Sequence, residues 1–175
     1  MKRRTVCTTV VGSMCLLSGC GGVLAEFDGG RSLRTDRIEG TEFEANTHTE
    51  PLFECWKDAI TVTRIPANGR IEVSGQIESG GRSCMETVLE TVGMDEESDT
   101  LVLIVADEQK QGARGCTMEE ALVGYDATVR MKGDTPTRIR IRHWSELGTD
   151  GGHYQLDETL VFDGGPNRET KSVSC

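Results

Sequence analysis

The chain lacks the short motifs that mark most catalytic and cofactor-binding sites. It has no CxxC or cysteine–histidine spacing for zinc, no EF-hand, no G-x-S-x-G element and no glycine-rich nucleotide loop, although 21 residues are glycine. Its three histidines have no spacing suited to chelation. We therefore predict no cofactor, no metal site and no catalytic residue, and expect a protein that is not an enzyme.

The chain also lacks an apolar run long enough to cross a membrane. Its apolar stretch covers residues 6–17, whereas a spanning helix needs about 20 residues. This stretch follows the cations Lys2, Arg3 and Arg4 and ends close to Cys20. A positive segment followed by a short apolar core is typical of an export signal. We therefore predict that residues 1–19 are a signal peptide.

The sequence Leu17-Ser18-Gly19-Cys20 resembles the lipobox of secreted lipoproteins. The resemblance implies that residues 1–19 are removed and that Cys20 becomes the mature N-terminus, carrying lipid on its sulfur. The Arg3-Arg4 pair is typical of twin-arginine export, and general secretory export is the alternative. We expect an extracellular protein anchored by lipid to the outer face of the cytoplasmic membrane.

Basic charge is scarce in this chain. The formal net charge is −10, and removal of Lys2, Arg3 and Arg4 with the signal peptide takes it to −13. Such a charge repels nucleic acid and anionic bilayers at long range, so we predict no nucleic-acid partner. The acidic, lysine-poor balance resembles that of proteins from extreme halophiles. Together with the lipobox, it suggests a haloarchaeal exported lipoprotein of unassigned function.

Of the seven cysteines, four remain after the signal and the lipidated residue are set aside: Cys55, Cys84, Cys116 and Cys175. Four cysteines in an exported domain favour two disulfides, for which three pairings are possible. We favour Cys84–Cys116 together with Cys55–Cys175, because the second bond would tie the first strand to the tail.

Residues 20–50 have glycine pairs, scattered charge and no sustained periodicity of apolar residues. Segments of this composition are usually disordered. We predict that residues 20–50 form a lipidated flexible tether, and that residues 51–175 form a single folded domain.

The predicted domain is a succession of short strands separated by turns. Asn68-Gly69 is a typical tight-hairpin dipeptide, and it separates two runs rich in β-branched residues. The run TLVLIVAD at 100–107 is apolar on both faces and predicts a central strand. About seven strands and no long helix result. We predict an all-β fold, an antiparallel Ig-like β-sandwich.

The order SG…C…TLVLIVA…C…YDATVRMKG…P…RIRIRH, between Ile71 and His143, resembles a recurrent module of haloarchaeal lipoproteins of unassigned function. The resemblance implies an Ig-like or related sandwich with a Cys84–Cys116 bond. It implies no activity.

A group of five cations is the most distinctive chemical feature of the predicted domain. We predict that they project from the same side of one hairpin: Arg130, Lys132, Arg138, Arg140 and Arg142. Guanidinium groups bind carboxylates in a bidentate manner, so this face is a candidate surface for an anionic ligand or an acidic protein. The alternative is that acids on neighbouring strands pair with it.

These observations predict a membrane-anchored, non-catalytic binding or envelope-associated module. One alternative is a protease-inhibitor-like Ig domain that presents a loop at 108–115 or 146–152. The other is a small extracellular hydrolase, which would need His143 or His153 to converge with carboxylates in a cleft.

Overall fold

The computed structural model describes residues 24–27, 31–48, 57–115, 121–145 and 152–173. Most of them lie in strands, which are, in chain order, β1 (Leu24–Phe27), β2 (Arg31–Leu33), β3 (Ile38–His48), β4 (Ala59–Ile65), β5 (Arg70–Ser79), β6 (Met85–Asp95), β7 (Thr100–Gln109), β8 (Ala121–Met131), β9 (Arg138–Ser145), β10 (His153–Val161) and β11 (Glu169–Val173). No helix in these ranges has the length and apolarity needed to span a bilayer. The predicted signal peptide and Cys20 lie outside the described residues.

Two sheets pack face to face. One has four strands in the order β10-β9-β7-β6, and the other has five in the order β11-β4-β5-β8-β3, while β1 and β2 form a separate hairpin. Inward side chains of both sheets share one buried core, including Ile60, Val62, Val73, Leu101, Leu103, Val129, Ile139 and Ile141. The predicted all-β sandwich is confirmed.

Strand β7 is buried on both faces, as its continuous apolar sequence predicts. Leu101 and Leu103 point into the core between the sheets. Val102 and Ile104 point the other way and pack with Leu33 of β2 in a second, smaller cluster. The hairpin of β1 and β2 therefore contributes cover to the outer side of the four-stranded sheet.

The structure refines the predicted sandwich in two ways. The described part of residues 51–175 forms eight strands, β4 to β11, close to the seven or so predicted there, and β1 to β3 precede them. In addition, β7 and β9 are parallel, whereas the other paired strands are antiparallel. The reason is the path of the chain. After β7 the chain crosses to the five-stranded sheet as β8 and then returns as β9, so two reversals restore the original direction.

The folded part begins before residue 51, inside the segment predicted as the tether. Strand β3 pairs with β8 over nearly its whole length, and its Phe43 ring stacks on Tyr125 with centroids 5.7 Å apart. Thr41, Phe43 and Ala45 are half-buried while the residues between them are exposed, which is the alternation expected of an edge strand. The prediction of a tether over all of residues 20–50 is therefore wrong for β3.

The strand connections lie at two ends of the sandwich. We call the first the hairpin end; it carries the connections at 66–69, 96–99, 132–137 and 162–168. Its turn at Asn68-Gly69 is confirmed, with Gly69 at a φ of 63°. We call the opposite end the groove end. There β4, β6, β8 and β10 begin, and β3, β5, β7, β9 and β11 finish.

Candidate functional site

A groove of about 570 Å³ opens at the groove end. It lies between the edge strand β10 and the two residues that lead into β4, and it extends to the last residues of β5 and β11. Its lining residues are Lys57, Asp58, Glu78, His153, Tyr154, Gln155, Leu156, Asp157, Glu158 and Val173. Concave sites with a few fixed polar groups are where proteins most often bind small ligands.

A chain of three polar side chains runs from the groove into the core. The carboxylate of Asp58, whose side chain is 9% exposed, contacts Nδ1 of His143, which is fully buried. Nε2 of His143 lies 2.7 Å from the hydroxyl of Tyr125. An ionised carboxylate can only accept a hydrogen bond, so Nδ1 is the donor to Asp58. If the imidazole is neutral, Nε2 has no proton and accepts a hydrogen bond from the Tyr125 hydroxyl.

The local sequence explains how these groups meet. His143 follows Ile139 and Ile141 at every second position of β9, so it lies on the core face, as its alternation predicts. Tyr125 lies on the inward face of β8 opposite Gly75 of β5. A Cβ atom at Gly75 would lie only 2.4 Å from the Tyr125 ring. Glycine at this position lets the ring lie against the strand and reach His143.

The inner end of this chain is inaccessible. Tyr125 is 2% exposed, and its ring meets His143 edge-on with centroids 5.5 Å apart. Burial raises the pKa of the Tyr125 phenol well above its ordinary value, and the charges of Asp58 and Asp126 raise it further. The phenol of Tyr125 therefore stays protonated. Only Asp58 borders the groove, so the chain orients a carboxylate and does not present an activated nucleophile.

A second buried carboxylate, Asp107, lies at the same end but outside the groove. It accepts hydrogen bonds from the hydroxyls of Ser79 at 2.7 Å and Thr87 at 3.2 Å, and from the backbone N–H of Gly80 at 3.3 Å. Burial raises the pKa of Asp107, and these bonds with the nearby Arg82 only partly oppose that effect. Asp107 thus holds the turn after β5 against the ends of β6 and β7.

The predicted five-cation face is wrong, because β8 and β9 lie in different sheets and do not form a hairpin. Arg130 alternates with the buried Val129 and Met131, so it projects from the outer side of the five-stranded sheet. There it binds Glu42 at 2.7 Å. The three arginines of β9 belong to the four-stranded sheet, on the opposite side of the molecule.

Two of these β9 arginines are engaged within the protein. Arg140 binds Asp157 through two contacts of 2.6 Å. Arg142 is 2% exposed, lies 3.1 Å from the same carboxylate and stacks over the Tyr154 ring at 3.5 Å. Burial opposes ionisation of Asp157, but the two arginines outweigh it and lower the pKa of Asp157. Of the predicted set, Lys132 and Arg138 are exposed.

The two histidines considered for a hydrolase have different environments. His143 is inside the core, whereas His153 is exposed, borders the groove and pairs across the sheet with Ser145. Within the ranges that the structure describes, no group of three histidine, cysteine or acidic side chains is arranged to hold a metal ion.

Of the predicted half-cystines, Cys84 is described, and it is buried and disulfide-bonded. Cys55, Cys116 and Cys175 lie outside the described residues. The pairing therefore stays a prediction.

Asp58 is the residue that sequence reasoning missed. It occurs in Lys57-Asp58-Ala59, an unremarkable charged pair before a strand. Its partner His143 is 85 positions away, and no local pattern joins the two. The alternation of β9 did predict the face on which His143 lies, which was the one available signal.

No protein-family model, no curated protein and no solved structure matches the chain.

Proposed function

We propose that this protein is an exported, lipid-anchored, non-catalytic module that binds its ligand in the groove beside β10. The observation that carries the proposal is a groove of about 570 Å³ bordered by a carboxylate, Asp58, which is fixed from behind by His143 and Tyr125. A sandwich supports many functions, so the site and not the fold is the basis of the proposal. The dispersed cations make a basic face a poorer candidate.

The chemistry of the groove favours binding over covalent catalysis. Its described lining has no serine, threonine or cysteine. The phenol at the end of the Asp58–His143–Tyr125 chain is in the core. A hydrolase of the serine type needs a nucleophile, a base and an orienting group within reach of the substrate. Here the orienting groups are behind the carboxylate, which suits recognition of a ligand.

The sequence supports the membrane anchor in this proposal. Cys20 precedes β1 by four positions, and thioether lipidation there would hold the sandwich at the outer surface of the membrane. Mass spectrometry of the protein from native membranes tests the anchor. The expected N-terminal peptide begins at Cys20 and carries lipid, and an unmodified peptide beginning at Met1 would overturn it.

The strand register supports the favoured pairing of Cys84 with Cys116. Met85 pairs with Gln109, and the backbone N–H of Lys110 donates to the carbonyl of Cys84 at 2.7 Å. The chain thus passes beside Cys84 six residues before Cys116. A disulfide between the two would close the loop that leaves β7.

The pairing of β4 with β11 supports a bond between Cys55 and Cys175. Val173 of β11 pairs with Ile60 of β4. Cys175 follows Val173 by two residues, and Cys55 precedes Ile60 by five residues. In the sequence, the two cysteines therefore flank the ends of two strands that pair with each other.

Fragment binding to the isotope-labelled mature chain tests the binding function. A set of cationic, anionic and neutral fragments is screened by amide chemical-shift changes. We expect the changes to cluster at Asp58, Tyr154, Leu156 and their neighbours. Changes that cluster on another surface, or a set with no binder, would overturn the groove as the binding site.

One observation favours the inhibitor-like alternative as a second candidate. The loop after β7 is exposed at Gln111, Gly112 and Arg114 but braced at its stem, where Lys110 Nζ donates to the carbonyl of Arg82 at 2.7 Å. A braced, exposed loop is what an inhibitor inserts into a protease. Inhibition of any member of a protease panel that disappears when residues 111–115 are replaced by glycine and serine would establish it.

A further inference from the structure

We propose that the groove takes a cationic group, an alkylammonium or guanidinium on a short apolar stem, against the carboxylate of Asp58. This inference rests on the proposed binding function and adds the chemical class of the ligand.

One oxygen of the Asp58 carboxylate is open to a ligand with a hydrogen-bond donor. Its side chain is 91% buried by the protein, since 9% is exposed. One carboxylate oxygen, Oδ1, contacts His143, and no second polar partner of Asp58 occurs among the described residues. Oδ2 is not among the buried polar atoms that lack a partner, so it remains accessible from the groove that Asp58 borders. A ligand N–H group at Oδ2 would supply a charge-assisted bond.

The rest of the wall favours the same sign of charge. Among the lining residues that the structure describes, four are acids and one, Lys57, is a lysine. Asp157 is held by Arg140 and Arg142 and does not contribute. Glu158 is exposed and borders the groove, so it adds negative potential near Asp58. Lys57 is exposed at the rim and opposes this potential.

The groove also contains apolar surface for a stem. Leu156 is 8% exposed at the groove wall, and Val173 is half-buried on the opposite side. Each CH₂ group of a ligand that is buried against such side chains contributes about 0.8 kcal/mol. A charged end and a short alkyl stem together match the two kinds of surface in the groove.

His143 and Tyr125 act as positioning residues in this site. Both ring nitrogens of His143 are engaged, one by Asp58 and one by Tyr125, so the imidazole cannot rotate without breaking a buried bond. The carboxylate is therefore oriented before a ligand arrives. Such preorganisation lowers the entropic cost of binding.

Three probes with the same stem test the class of ligand: n-butylammonium, n-butanol and butanoate. Each is titrated into the full mature chain, and amide shifts at Asp58, Tyr154 and Leu156 are followed. We expect n-butylammonium to bind at least ten times more tightly than the other two, with affinity that falls as salt is added. Equal binding of all three would overturn the cationic class and leave the binding groove intact. Absence of groove shifts with all three would also overturn it, and the broader fragment screen then decides the binding function independently.

Variants that each change one charge test whether Asp58 holds the cationic group. Asp58→Asn keeps an acceptor for His143 Nδ1 and is expected to weaken n-butylammonium binding about tenfold. Glu158→Gln is expected to weaken it about twofold, and Lys57→Gln to strengthen it about twofold, since both act through partly exposed charges. Glu39→Gln, on the distant edge strand β3, removes the same charge and is expected to have no effect.

The variants also guard against loss of folding. If Asp58→Asn does not fold, the opposite signs expected for Glu158→Gln and Lys57→Gln still decide the matter. Equal effects of Glu39→Gln and Glu158→Gln would mean that overall charge, and not the groove, attracts the probe, and would overturn the inference.

Discussion

The two ends of the sandwich close in different ways. At the hairpin end, cationic side chains satisfy backbone carbonyls: Arg64, only 4% exposed, donates to the carbonyls of Pro136, Thr135 and Gly165 at 2.9–3.2 Å. At the groove end, buried carboxylates face side chains, as in Asp58 with His143. The guanidinium of Arg64 is used up by carbonyls of neighbouring connections and is not offered to a ligand. An oriented carboxylate at the mouth of a groove can still bind one.

The comparison also extends to covalent bonds. Cys84 lies immediately before β6 at the groove end. The other three cysteines of the mature domain are in the connection from β3 to β4, in the connection from β7 to β8, and after β11. All of these segments meet the strands at the groove end. The connections named for the hairpin end contain no cysteine, so both disulfides are predicted at the groove end.

The largest effect is expected from removing the predicted disulfides. The loops closed by Cys84–Cys116 and Cys55–Cys175 correspond to roughly 4 and 5 kcal/mol of unfolding free energy in the chain-entropy model. Urea unfolding of Cys55→Ser with Cys175→Ser should therefore show the greater loss. Peptide mapping without reductant comes first, and a Cys55–Cys84 peptide would contradict both assignments.

Truncating the central cation of the hairpin end is expected to have the next largest effect. Arg64→Met leaves three carbonyls, two of them in buried hydrogen bonds, without their charged donor, which costs about 3 kcal/mol of unfolding free energy. The matched control is Arg138→Met on the exposed surface of β9, which should change it by less than about 0.5 kcal/mol. Groove binding of n-butylammonium should survive Arg64→Met under native conditions. A loss of binding in the folded variant would show that the two ends are coupled.

The sequence was sufficient for the part of the fold built on local patterns. Period-two alternation predicted the inward faces of β8 and β9, and the apolar run at 100–107 predicted the central strand β7. The same alternation is present at Thr41, Phe43 and Ala45. It was not recognised because the intervening residues are polar and the segment is rich in charge, so β3 was assigned to the tether.

The sheet assignment and the groove depend on long-range pairing, which no local pattern encodes. Adjacent alternating runs predicted a hairpin of β8 and β9, but β8 pairs with β5 and β3 in one sheet, whereas β9 pairs with β7 and β10 in the other. That one error placed Arg130 and Arg140 on the same face. Asp58 and His143 meet only after β4 and β9 are positioned by separate sheets, so their contact was not accessible from sequence.

The same substitution, glycine to alanine, can be made at each end of the sandwich and its effects compared. Gly75→Ala places a Cβ 2.4 Å from the Tyr125 ring, so the ring must move and its bond to His143 is lost. Overpacking of this kind costs about 2 kcal/mol, and n-butylammonium binding should weaken with it. Gly69→Ala at the hairpin end, where φ is 63° and a Cβ would lie 2.9 Å from the carbonyl oxygen of Met131, costs at least about 1 kcal/mol and should leave binding unchanged. Equal effects of both on binding would contradict the role of Tyr125 in orienting Asp58.

The smallest effects are expected from two carboxyl groups whose pKa values shift in opposite directions. The pKa of Asp107 is raised, chiefly by burial, so the folded protein holds this proton more tightly than the unfolded chain. Its contribution to stability is full below the ordinary pKa of 3.8 and is lost as pH rises through the raised value. The pKa of Asp157 is lowered by Arg140 and Arg142 against the effect of burial. Its contribution is full above 3.8 and is lost as pH falls through the lowered value.

Urea unfolding across acidic pH separates these two groups. Asp107→Asn should remove a decline in unfolding free energy that begins above pH 3.8, because the asparagine does not ionise. Asp157→Asn should instead flatten a rise that lies below pH 3.8. The two variants therefore change the pH slope of the unfolding free energy in opposite directions, Asp107→Asn above pH 3.8 and Asp157→Asn below it. Slopes of the same sign in both variants would mean that burial dominates at Asp157 as well, and that its two arginines do not offset the loss of water around the carboxylate.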